Sequence, residues 1–143
     1  MLKAVFDTVI FVRTLLNPRS ASGRLMFEYQ SKYRLFLSSL LIEEILEVLG
    51  RAELIDRFHL KEIDYPGAIK YLLKSMEGTE MVELMEILSI SRDPKDDKVL
   101  ATAKAADANY LVSADKDLLD LKEYEGIQIV DEKTFLQILE ELS

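Results

Sequence analysis

Short apolar segments without polar alternation, separated by helical patterns, constrain this chain more than any other feature. The segments 2–6, 33–37, 110–113 and 127–130 read as strands. A strand with no polar face has to be covered on both sides, and alternation with helices supplies that cover. The pattern therefore predicts an α/β fold with a parallel sheet buried between helices. Helical periodicity follows the first strand through Leu16 and is stopped by Asn17-Pro18. Ser20 or Ser22 is placed to cap a helix to about residue 30, and Ser38 or Ser39 a strong one ending near Gly50. Residues 52–77 read as two further helices broken around Tyr65-Pro66-Gly67, and 81–90 divides between strand and helix. Asp93-Pro94 opens a helix to about Ala106, and Asp131 caps the last one. With no repeat, low-complexity tract or linker, residues 1–143 are expected to form a single domain.

Composition narrows the chemistry. Apolar residues make up 49% of the chain, enough for one sizeable core. No run reaches the roughly 20 apolar residues of a membrane span, so no membrane association is expected. The stretch MLKAVFDTVIFV is interrupted by Asp7 and lacks a small-residue cleavage site, so it reads as a buried strand and not as a signal peptide. Absence of cysteine removes disulfides, thiolate metal sites and cysteine nucleophiles together, and agrees with a cytoplasmic location. His59 is the only histidine, which argues against histidine zinc sites and Ser-His-Asp triads. Against 26 Asp plus Glu stand 18 Lys plus Arg, a net charge of −8. A passive nucleic-acid binder has the opposite sign, because affinity comes from neutralising phosphates. A nuclease is less affected, since its carboxylates bind cations that then meet the phosphate.

Helical geometry separates the carboxylates. In LLIEEILEVLGR, at about 100° per residue from Leu40, the apolar residues fill an arc from roughly 0° to 240°. Glu43 and Glu47 fall near 300° and 340°, on the polar side, whereas Glu44 falls near 40°, inside the edge of the apolar arc. Alone, Glu44 reads as a boundary residue whose stem snorkels to water. In the helix after Asp93, Val99, Leu100, Ala103 and Ala106 lie at roughly 300°, 40°, 340° and 280° from Asp96, which shares their face. Asp97 lies about 100° away, beside Lys104, on a polar flank. Helix capping accounts for Asp93 and is open to Asp96, but it does not require Asp96 to face the apolar side. Ala114-Asp115-Lys116-Asp117 follows a strand and would serve as a polar turn in any protein. Asp7 is more unusual, because Thr8 to Val12 continue the apolar run beyond it. A carboxylate there is costly to bury unless paired, protonated or bound to metal. Several inward acids without a matching base predict a cation site, and all-oxygen ligands favour Mg²⁺ or Mn²⁺ over zinc. In parallel sheets such sites form beyond the carboxyl ends of the strands, where Asp7 and Asp115 lie.

VFDTVIFV, then SSLLIEEILEVL, then DPKDDKVLATAKAADANYLVSADKDLL, spaced over nearly the whole chain, resemble the PIN-domain family, and within it the VapC-type toxins of toxin–antitoxin operons. The resemblance implies a three-layer α/β/α sandwich with a mainly parallel central sheet, Mg²⁺- or Mn²⁺-dependent cleavage of RNA, an antitoxin protein as partner, and often a homodimer. It assigns catalysis to Asp7, Glu44, Asp96 and Asp115, metal binding to Asp7, Asp96, Asp115 and Asp117, and supporting roles to Thr8 and Ser113. The helical-face argument prefers Glu44 over Glu43 and Asp96 over Asp97 independently of it. One departure concerns Val9, where the family usually has asparagine after Asp-Thr. It leaves open a second reading, a catalytically weak PIN domain that binds an antitoxin or an RNA-processing partner. A third, a receiver- or haloacid-dehalogenase-type phosphotransferase with Asp7 as nucleophile, needs a lysine after a downstream strand. Lys116, flanked by aspartates, fits that pattern poorly.

Overall fold

The computed structural model describes residues 1–51, 79–84 and 94–142. Its strands are β1 (Leu2–Phe6), β2 (Tyr33–Leu37), β3 (Glu80–Met81), β4 (Tyr110–Val112), β5 (Glu123–Tyr124) and β6 (Ile127–Val130). Its helices are α1 (Thr8–Leu16), α2 (Ala21–Phe27), α3 (Ser39–Leu49), α4 (Pro94–Ala105), α5 (Lys116–Leu121) and α6 (Glu132–Glu141), with a 3-10 turn at Gln30–Lys32. The six strands form one sheet in the order β3-β2-β1-β4-β6-β5. All neighbours are parallel except β5 and β6. Side chains alternate between faces along a strand, and Ala4, Val5 and Phe6 are all fully buried. Both faces of the central strand are therefore dry, with helices packed over them, as the apolar pattern requires.

An aromatic cluster carries the last helix onto the sheet. Phe135 of α6 packs against Phe6 of β1, Tyr33 of β2 and Tyr110 of β4, with ring centroids 6.0, 5.7 and 5.4 Å away. The inclined ring arrangements suit the aromatic quadrupole. Tyr33 is buried and gives its hydroxyl proton to the Leu25 carbonyl at 2.6 Å, so its polar tip is satisfied where α2 passes. That burial pushes the phenol far above its ordinary pKa.

Local chemistry sets most boundaries. Ser20 caps α2 by accepting from the Gly23 N–H, Ser38 caps α3 through Leu41, and Asp131 caps α6 through Thr134. Ser22 has a different role, since its buried hydroxyl donates to Glu132 across the fold. Helix α2 stops at Phe27, short of residue 30, because the chain tightens into a 3-10 turn before entering β2 at Tyr33. Periodicity gives no sign of the β5–β6 hairpin. Its two-residue turn, Glu125-Gly126, has φ of 48° and 86°, and positive φ at both positions matches the right-handed twist of the strands. Of the segment 81–90, residues 81–84 are described, and there strand β3 ends at Met81. The helices expected over 52–77, with His59 and Pro66, and the Asp93 cap lie outside the described residues.

Sheet order decides where a site can form. From β1 the chain steps outward to β2 and β3, then crosses back to place β4 on the other side of β1. The carboxyl ends of β1 and β4 thus flank a switch in strand order, the place where parallel sheets open a crevice.

Gly23 marks a close approach of backbones. A Cβ built there would stand 1.9 Å from the Pro18 carbonyl oxygen, so α2 packs onto the preceding turn only because the side chain is absent. Gly23→Ala gains about 1 kcal/mol of helix propensity but forces that turn apart. The expected result is a net loss of about 2 kcal/mol, a fall in melting temperature of roughly 4–8 °C, measured by thermal unfolding. An unchanged or raised midpoint would show that the turn moves freely.

Candidate metal and catalytic site

The site is built on the last residue before α1. The Asp7 N–H donates to the Val112 carbonyl at 2.9 Å, which carries the β1–β4 ladder to the end of the strand. The Asp7 side chain then caps α1, its Oδ1 accepting from the Thr8 N–H at 2.7 Å. Its Oδ2 accepts from the Ser113 hydroxyl at 2.8 Å. Ser113 follows β4 and is fully buried, and its Oγ also accepts from the Asp115 N–H at 2.9 Å. Asp115 in turn caps α5, accepting from the Asp117 N–H at 2.9 Å. On the other side, the Thr8 hydroxyl donates to Glu44 Oε2 at 2.7 Å, although 36 residues separate them. One continuous hydrogen-bonded chain thus runs Glu44–Thr8–Asp7–Ser113–Asp115–Asp117.

These groups converge on a pocket of about 460 Å³. Asp7, Glu44, Asp96 and Asp115 all line it, together with Thr8, Val9, Val12, Val48, Arg13 and Arg51. Carboxylate oxygens of Asp96, Asp115 and Asp117 lie within 4.8 Å of one another. Asp117 belongs to this group from the exposed rim, whereas Asp7 lines the pocket with each oxygen already accepting one hydrogen bond. A carboxylate has about four lone-pair sites, so both oxygens of Asp7 keep capacity to accept. Three carboxylate oxygens so close form a donor set suited to a hard divalent ion.

Glu44 is buried while Glu43 and Glu47 are exposed, the separation expected from the helical face. Asp96 is buried as well, with 4% of its surface exposed. Asp97 departs from expectation. It is 5% exposed, not on a solvated flank, and it has an interaction partner. A helical wheel fixes azimuth but cannot register which neighbouring segment covers that azimuth. The sequence also gave no sign of the Ser38–Thr102 contact, in which the two hydroxyls meet at 2.8 Å. It ties the start of α3 to α4 and so sets Glu44 relative to Asp96. Short hydroxyl residues are too common for any one-dimensional signal to have paired them. Val9 lines the pocket and packs partly against the core, so an apolar wall stands where the family usually has an amide.

Burial raises the Asp7 pKa above 3.8, the hydrogen bonds from Ser113 and the Thr8 N–H oppose the rise, and the charges of Glu44 and Asp115 add to it. A raised folded-state pKa means that the folded chain holds a proton the unfolded chain has released. Without metal, Asp7 therefore costs stability progressively as pH rises from 3.8 through its folded value, and the cost is complete above it. Asp7→Asn retains a capping oxygen for Thr8 and removes the charge. It is expected to raise the melting temperature in chelator at pH 7 and to flatten the pH dependence between pH 4 and 7. Melting curves across that range check this, and parallel curves for the two proteins would refute it.

Comparison with known proteins agrees with the fold. The family model described as PIN domain matches residues 3–117. Two crystal structures share the architecture. One is VapBC2 from Rickettsia felis bound to a promoter DNA fragment, with TM-score 0.61, 13% identity, and coverage of 91% of this chain and 98% of that one. The other is DNA-bound VapBC from Salmonella typhimurium, with TM-score 0.59, 16% identity, and coverage of 92% and 99%. No curated protein matches the chain by sequence. Similarity at such low identity establishes fold alone, but the family model spans well over half of the chain, and with it the chain belongs to the PIN-domain family.

Proposed function

We propose that this protein is a metal-dependent ribonuclease that hydrolyses RNA phosphodiester bonds, and that it is the toxin component of a toxin–antitoxin pair. The observation that carries the reading is the acidic cluster at the switch in strand order: Asp96, Asp115 and Asp117 within 4.8 Å, in a pocket shared with Asp7 and Glu44. PIN-family membership supports nuclease chemistry, and the two VapBC structures of the same fold support an antitoxin partner.

Asp96, Asp115 and Asp117 would hold Mg²⁺ or Mn²⁺, with Asp7 completing the set from the strand end. Bound there, the ion would make a water more acidic and supply positive charge for the phosphate, so no histidine base is required. The chain's own groups organise the rest. Ser113 and the Thr8 N–H hold the Asp7 carboxylate in one orientation, and the Thr8 hydroxyl does the same for Glu44. Glu44, which lines the same pocket, would accept a proton from a water there or orient it. Val9, Val12 and Val48 give the pocket an apolar wall. The second reading, a binding module with weak catalysis, rests on the sequence alone, on Val9 where the family usually has asparagine after Asp-Thr.

Two neighbouring substitutions test the assignment. Asp96→Asn and Asp97→Asn each remove one charge from the first turn of α4 with almost no change in shape. Asp96→Asn is expected to lower metal-dependent RNA cleavage by at least about a hundredfold, the scale seen when one charge-stabilising group is removed. Asp97→Asn is expected to keep cleavage near the parent level, with its burial felt in stability only. Equal activities would remove Asp96 from the site, and no cleavage by the parent would favour the binding module.

Metal is also expected to stabilise the fold by relieving repulsion among the carboxylates. At a hundredfold excess over Kd the gain is about 2.7 kcal/mol, and the melting temperature rises accordingly. Identical midpoints in millimolar Mn²⁺ and in chelator would argue that the cluster binds no ion.

A further inference from the structure

The pocket is not acidic throughout. Arg13 lines it with the four carboxylates. It lies five residues beyond Thr8 on α1, about 7.5 Å further along the helix axis. The acids gather at the amino end of α1, and the cation stands toward its carboxyl end. Arg13 Nη1 donates to Glu132 Oε1, and the other oxygen of Glu132 accepts from the Ser22 hydroxyl. Glu132 is the first residue of α6, where the helix dipole favours an anion, and it is 9% exposed, with Ser22 at 1%. Arg13 itself remains half-exposed, its side chain at 48%.

Three helices thus combine to fix one guanidinium. A strap between α1 and α6 alone would need neither the buried serine nor an opening into the pocket. The guanidinium has five N–H donors in a rigid fork that matches phosphate geometry. Its engagement with Glu132 also keeps it from folding back onto the carboxylates, where it would compete with a cation. A strand of RNA approaching this pocket meets four carboxylates that repel it, and a cation fixed at the far end offsets that repulsion.

We infer that Arg13 binds a backbone phosphate of the RNA strand next to the scissile one, and that Glu132, locked by Ser22, is its positioning residue. This rests on the ribonuclease reading and extends it to how the strand is held across the site.

The test uses fluorescence anisotropy with a labelled single-stranded RNA oligonucleotide, at several salt concentrations, in an Asp96→Asn background that prevents turnover. Arg13→Gln should weaken binding by about tenfold, the loss of one charge-assisted hydrogen bond. The slope of log K against log salt should fall by about 0.7, one phosphate contact on a single strand. Arg13→Lys keeps the charge and the tie to α6, so it should retain the slope while losing part of the affinity. Glu132→Gln should weaken binding less than Arg13→Gln and leave the slope unchanged. With Asp96 restored, Arg13→Gln should raise KM for cleavage more than it lowers kcat. Equal affinity and slope with and without the Arg13 charge would overturn the inference and reduce the residue to a strap. If the protein with Arg13 intact binds no RNA, the ribonuclease reading falls along with it. If Arg13→Gln fails to fold, Arg13→Lys decides, since unaltered affinity in that variant contradicts a phosphate fork.

Discussion

The carboxylate of Asp7 depends on two strands at once, and the rest of the site depends on the carboxylate. Its backbone N–H closes the β1–β4 ladder onto Val112, and its side chain receives the hydroxyl of Ser113, the residue that follows β4. A shift of β4 by one residue would turn Ser113 to the other face of the sheet and leave a buried carboxylate without that donor. From Asp7 the order propagates in both directions. Thr8 carries it to Glu44 on α3, and Ser113 carries it through Asp115 to Asp117 on α5. The register of the central strand pair is therefore a condition for the site as well as for the core.

The arrangement has a cost. Carboxylates are gathered where they repel one another, and Asp7 is pushed toward the protonated form by burial and by two of its neighbours. The remainder of the fold offsets this. Phe135 joins α6 to three strands, and the buried residues of β1 and β2 leave no polar group idle beneath the helices. Tyr33, the one large buried side chain of that cluster with a polar tip close to α2, finds the Leu25 carbonyl. The destabilising charge is thus confined to the rim of the sheet, and the centre is apolar and well packed.

The same helix that begins in the acidic cluster ends beside a fixed cation. Asp7 caps the amino end of α1, and Arg13 in its last turn is held by Glu132 at the start of α6. Both carboxylates sit at helix amino ends and the cation near a carboxyl end, the polarity that helix dipoles favour. The pocket therefore has direction, from an acidic end to a basic end, along a single rigid element.

The strands 2–6, 33–37 and 127–130, the helix stops at Asn17 and Gly50, the cap at Asp131 and, each as one of two serines, the caps at Ser20 and Ser38 were legible in the sequence because each follows from local rules. Apolar runs mark strands, and short polar side chains satisfy the first N–H groups of helices. Helical periodicity also separated Glu44 from Glu43, since which face of a helix meets the core is a property of spacing. Tertiary structure alone decided the contacts between segments. Asp97 is covered although its azimuth is polar, Ser22 serves Glu132 and not its own helix, and Thr8 meets Glu44. The direction of Arg13 belongs with these. A periodic pattern specifies orientation relative to an element's own axis, whereas these contacts depend on which other element arrives there, and that is set by strand order and register across the whole sheet.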